Sequence, residues 1–156
     1  MSTLRAFALA IELATDKRDE AGRHLMQAQR AYLLAQNQQE QLESYAAGSE
    51  ARWMNSAQVS MTTGILQHHY QFMERLRSAI GLQDGVLGDL LLQVDAAKKR
   101  VQEAETRLAG LQKVLERKLR ERALLMARRE QRQTDEFAAM QHARSMAQLQ
   151  SGEISS

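Results

Sequence analysis

Apolar residues recur every seven positions along two stretches of this chain. In the longer stretch Leu66, Met73, Ile80, Leu87, Val94, Val101, Leu108 and Leu115 form an unbroken apolar series. Interleaved with it are His69, Leu76, Gln83, Leu90, Ala97, Ala104 and Leu111. These are the a and d positions of a heptad. A seven-residue repeat held this long keeps one seam of an α-helix facing a partner, as in a left-handed coiled coil. The next a positions are Arg122 and Arg129, so the seam stops there. In the shorter stretch Leu4, Ile11, Arg18, Leu25, Tyr32, Gln39, Ala46 and Trp53 form one series. Phe7, Ala14, Ala21, Ala28, Ala35 and Leu42 form the other. Small alanines at d let backbones approach closely. Arg18 and Gln39 are polar seam positions, which cost stability and can fix register.

Two heptad helices in one chain predict a hairpin. Ala47-Gly48-Ser49 and the small polar run Asn55 to Gly64 are the two candidate turns. In an antiparallel pair, residues equidistant from the turn face each other. A turn near 60 sets Leu4 opposite about residue 116, where the apolar a series ends. A turn near 48 would strand Val94 to Leu115 without a partner. The expectation is therefore helix 1 over about 3–55, a turn over about 56–64 and helix 2 over about 65–148. Together these make a single coiled-coil domain, 1–150, with a disordered tail at 151–156. Gly81, Gly85 and Gly88 mark a soft spot or bend in helix 2. The fold class is all-α: an antiparallel two-helix coiled-coil hairpin whose longer second helix overhangs at the C-terminus. The pattern alone leaves open whether the seam closes within one chain or between two.

Composition sharpens this picture. Of 156 residues none is proline and only 4 % are aromatic, which favours long helices and a narrow seam over a wide core. With no cysteine, neither a disulfide framework nor a thiolate metal site can form. No apolar run approaches the roughly 20 residues a bilayer span needs. The N-terminus, Met1-Ser2-Thr3-Leu4-Arg5, lacks the apolar core of a signal peptide. The expectation is a soluble cytoplasmic protein without direct membrane insertion.

Three features bear on function. Ile65, Phe72, Ala79 and Val86 repeat at the g position, where charge is usual. Either Phe72 folds over the seam near the loop, against Trp53, or the stripe is an exposed docking surface. Lys113, Arg117, Lys118, Arg120, Arg122, Arg128, Arg129 and Arg132 make a basic stretch offset by few acids. Such a run is usually a solvated face, or it meets an acidic protein partner. Nucleic-acid binding is not expected, because no aromatics interleave with the basic residues. His68 and His69 point about 100° apart on a helix and make a poor metal pair; His69 reads as a polar seam residue. No phosphate loop, carboxylate pair or activated nucleophile is present, so no catalytic residue, cofactor or metal site is expected and the protein reads as not an enzyme.

The string Arg129-Glu-Gln-Arg-Gln-Thr-Asp-Glu-Phe-Ala138 resembles the Glu/Asp-Gln-Lys-x-x-Asp-Glu-Phe-Ala segment of the FliJ family. Its members are stalk proteins of the flagellar type III export apparatus. Arg132 stands where the family often has Lys, and Thr134 where it often has an apolar residue. Tyr70-Gln-Phe-Met-Glu-Arg-Leu-Arg-Ser-Ala-Ile80 is similar to the stretch that opens the family's second helix, and Tyr45 and Trp53 resemble its paired late aromatics. The resemblance implies a coiled-coil stalk that inserts into the hexameric flagellar export ATPase, promotes ring assembly and links the ring to the export gate. It implies Arg129, Gln131, Arg132, Asp135 and Glu136 as the ATPase-binding surface. It implies Phe72, Leu76, Ala79 and, less directly, Gln83 as the contact with the export-gate membrane protein. Export chaperones are further implied partners, and the implied location is the cytoplasmic face of the inner membrane at the flagellar basal body. The alternatives are the equivalent stalk of an injectisome and a coiled-coil adapter without ATPase coupling.

Overall fold

A computed structural model describes residues 2–56 and 62–154. They form two α-helices packed against each other, α1 (Ser2–Ser56) and α2 (Thr63–Ile154). The expected turn falls largely on 57–61, outside the described residues. Helix α2 begins two residues before the expected Ile65 because Thr62 caps it. The Ile65 N–H donates to Thr62 Oγ1 at 3.4 Å, and the Leu66 N–H donates to the Thr62 carbonyl at 3.1 Å. At the other end α2 continues to Ile154, into the segment expected as a tail. There the Ser151 hydroxyl donates to the Gln148 carbonyl at 3.1 Å, and no proline interrupts the helix.

The chain groups into two compact units, Glu12–Leu108 and residues 1–11 with 109–156. In the first unit the buried apolar residues are Ala14, Ala35, Met73, Leu76, Val94, Ala97 and Leu108, and every one is an a or d position. None is sealed completely, since a two-helix seam covers each side chain from one side only. Alanine meets alanine along much of its length: Ala28 shares a groove with Ala97, and Ala14 and Ala21 share one with Ala104. In the second unit Leu4, Phe7 and Ile11 are half-buried, as are Leu111, Leu115 and Lys118. Lys118 Nζ lies 4.9 Å from the centre of the Phe7 ring. A cation on an aromatic face is where this seam turns polar.

The register follows the seams. Ala35 meets Gln83, Tyr45 meets Phe72 and Trp53 meets His69. Each of these pairs is nearly equidistant from about residue 60, as an antiparallel hairpin reversing there requires. Among them sits a polar layer. Buried Gln39 donates from Nε2 to Asp84 Oδ1 at 2.6 Å and to Glu43 Oε1 at 3.2 Å, while its own Oε1 has no partner. Gln83 Nε2 donates to the Ala35 carbonyl at 3.0 Å and to Gln38 Oε1 at 3.2 Å. A one-heptad slip would leave these donors facing apolar residues, so the layer penalises other registers.

Glycine does not interrupt the helices. Helix α2 runs unbroken through Gly81, Gly85 and Gly88, and no described glycine has a positive φ. A Cβ built on Gly48 would approach only Arg52, at 3.9 Å, so alanine fits there. Gly48→Ala is expected to stabilise the protein by roughly 0.5–1 kcal/mol, read as a higher midpoint in thermal unfolding followed by circular dichroism. A lower midpoint would show strain that the open site does not suggest. Gln39→Leu removes a buried unpaired oxygen and is expected to raise stability by about 1 kcal/mol. The same change should broaden the set of Cys pairs across the seam that cross-link. A single surviving register would show that Gln39 does not set it.

Candidate functional site

Helix α2 presents the four residues implied as gate contacts in two different ways. Phe72 and Ala79 lie on the g stripe beside the seam, with Phe72 exposed and Ala79 half-buried. Phe72 does not fold against Trp53. It meets Tyr45 edge-on, with ring centroids 6.1 Å apart and planes at 75°. The geometry explains the choice: Tyr45 is the g residue of α1 at that level, and g faces g across an antiparallel pair. Leu76 is a d residue only 8 % exposed, and Gln83 is tied by hydrogen bonds to α1. Surface contact is thus open to Phe72 and Ala79, whereas Leu76 and Gln83 serve the seam. Exposed Leu82 and Val86 extend the same apolar strip, and the seven-residue steps from Phe72 to Ala79 to Val86 are its sequence signal.

The second implied surface lies beyond the seam. From Leu119 to Glu153 every described residue of α2 is exposed. Arg129, Arg132 and Glu136 follow one stripe of this segment, and Gln131 and Asp135 the neighbouring one. Gln131 Nε2 donates to Asp135 Oδ1 at 3.1 Å, one turn away, which orders both heads along the helix. The Thr134 hydroxyl donates to the Glu130 carbonyl at 2.9 Å, one turn back, so it finds its partner within the helix. The five implied residues are therefore all exposed, on two stripes of one charged segment. Leu124, Leu125, Met126, Phe137 and Met140 are exposed within the same segment. Sequence reasoning passed over them as site residues, although apolar side chains past the end of a seam were the available signal.

A third feature has no counterpart in the sequence reading. Trp53 and His69, the a and d residues nearest the end of α1 and the start of α2, stack with centroids 3.7 Å apart and planes 2° apart. Beside them Trp53, Met54, Tyr70 and Met73 wall a groove of about 360 Å³, flanked by the Arg77–Glu50 pair at 3.3 Å and by Glu74. Half-buried His69 keeps its place in the seam through this stack.

Burial separates fold from contact on the Phe72 stripe. Leu76→Ala is expected to cost about 2–3 kcal/mol of stability, and Phe72→Ala less than about 1.5 kcal/mol, because half of Phe72 already faces water. Chemical denaturation of both variants checks this. Equal losses would mean Phe72 is seam rather than surface.

Among the described residues no helix is long and apolar enough to cross a membrane. A search among curated proteins finds no match to the chain. The family model described as Flagellar FliJ protein matches residues 4–147, nearly all of both helices and both candidate surfaces. The chain belongs to the FliJ family of flagellar export proteins.

Proposed function

We propose that this protein is a non-catalytic stalk of the flagellar export apparatus. Its exposed α2 segment enters the ring of the hexameric export ATPase, promotes ring assembly and activity, and couples the ring to the export gate. The supporting observation is the contrast along α2: a closed seam up to Lys118, then a helix with no residue covered through Glu153. A solitary helix of that length gains little from its own hydrogen bonds and calls for a partner that surrounds it. A ring does so from all sides, which suits a segment exposed on every face.

The chemistry suits such a contact. Arg129, Arg132 and Glu136 offer charge of both signs at one-turn spacing, and Gln131 and Asp135 offer a preorganised polar pair. Phe72 and Ala79, with Leu82 and Val86 beside them, are the proposed gate contact. Leu76 and Gln83 act there through the seam, by holding that stripe in place. In this reading the protein is soluble and sits at the cytoplasmic face of the membrane.

ATPase rate and ring assembly of the cognate enzyme, with the full chain and with residues 1–122, test the stalk. The shorter chain keeps the whole seam, and circular dichroism confirms that it stays helical. Stimulation by the full chain and not by 1–122 is the expected result. Equal stimulation by both, or by neither, would overturn the assignment of the exposed segment.

A further inference from the structure

On the side of the hairpin away from Phe72, the unit Glu12–Leu108 carries a second surface of different character. Glu40, Glu43, Glu50 and Met54 follow one stripe of α1, and Tyr70, Glu74, Arg77, Gly81, Asp84 and Gly88 one stripe of α2. Five of these residues are carboxylates, and Arg77, the single cation, is already paired with Glu50 at 3.3 Å. The surface is thus acidic. It is also indented, because the groove walled by Trp53, Met54 and Tyr70 opens onto it. Beyond the groove it is flat. A Cβ built on Gly81 or Gly88 would meet nothing within 4 Å, so neither glycine is required by packing within the chain. Glycine weakens a helix relative to alanine, yet it lets another backbone come close.

An acidic, indented and flat surface fits a helix that carries basic residues around one bulky apolar side chain. The chain itself contains such a helix. Arg122, Leu125, Arg129 and Arg132 follow one stripe of α2 at steps of three and four residues. All four are exposed, Leu125 to 64 %, and among the described residues no acid pairs with these arginines. We propose that the Arg122–Arg132 segment of one copy docks on the Glu50–Glu74 surface of a second copy. Leu125 enters the groove between Trp53 and Tyr70, and the arginines face the carboxylates. The two patches differ, so a closed dimer forms when each copy gives its segment to the other's groove, the two reciprocal contacts making one two-fold interface. Self-docking covers Arg129 and Arg132, two of the residues proposed to meet the ATPase. It would therefore hold the free protein apart from the ring until the ATPase competes for the same segment.

The test first uses the full-length protein without any partner, so it stands apart from the stalk assignment. Molar mass is followed by sedimentation over a concentration series, with emission from Trp53, the only tryptophan, as a reporter inside the groove. Dimers are expected to form with rising concentration, with Trp53 emission changing in parallel and salt weakening both. Glu74→Arg and Arg129→Glu should each weaken dimers about tenfold, and the two changes in one chain should restore part of that loss. A protein that stays monomeric throughout overturns the proposal. So does a dimer that is indifferent to Glu74→Arg and Leu125→Glu, or one that leaves Trp53 emission unchanged. If Trp53 of a monomeric chain responds only to added export ATPase, the groove belongs to that enzyme and self-docking is wrong.

Discussion

The structure depends on one narrow apolar seam between two helices of unequal length. Among the described residues, the apolar side chains that become buried are all at its a and d positions. Alanine along much of α1 brings the backbones close, so the seam gains from tight packing rather than from large side chains. Long helices are costly to nucleate and gain little alone, so this contact accounts for the order of α1 and of α2 as far as Lys118. Beyond that point α2 continues on propensity: Ala, Leu, Gln, Glu and Arg dominate and proline is absent.

The polar residues within the seam divide labour with the apolar ones. The apolar series supplies stability but repeats, so it tolerates a shift of seven residues. Gln39 and Gln83 break that repetition, each reaching across to the other helix for a hydrogen bond. A buried amide oxygen left without a partner is the cost of that specificity. Arg18 resolves the same problem differently. It turns its guanidinium to Asp19 on its own helix, at 3.0 Å, and adds no cross-helix constraint.

Function is arranged around what the seam leaves uncovered. The hairpin turns an apolar strip containing Phe72 to one side and an acidic groove containing Trp53 to the other. The uncovered part of α2 presents basic, acidic and apolar residues on all faces. The Phe72 strip uses g and c positions that the seam holds in place without needing them itself, whereas the groove also draws on the seam residues Trp53, His69 and Met73.

Most of the fold was legible in the sequence because heptad periodicity is a local code. The positions of Leu66 to Leu115 fixed where a partner must lie, and the matching lengths of the two seams fixed their antiparallel register. The string from Gln131 to Phe137 pointed to the family that the match over residues 4–147 establishes. The start of α2 shifted by two residues because capping by Thr62 depends on hydroxyl geometry that periodicity does not encode. What only the tertiary structure decided was which neighbours the seam-flanking residues meet. Phe72 found Tyr45, Trp53 found His69, and Gln39 found Asp84. Those pairs join residues from 16 to 45 positions apart, and a side chain's exposure is set by such neighbours. The same physics left Leu76 inside and Phe72 outside although the resemblance implies one contact for both.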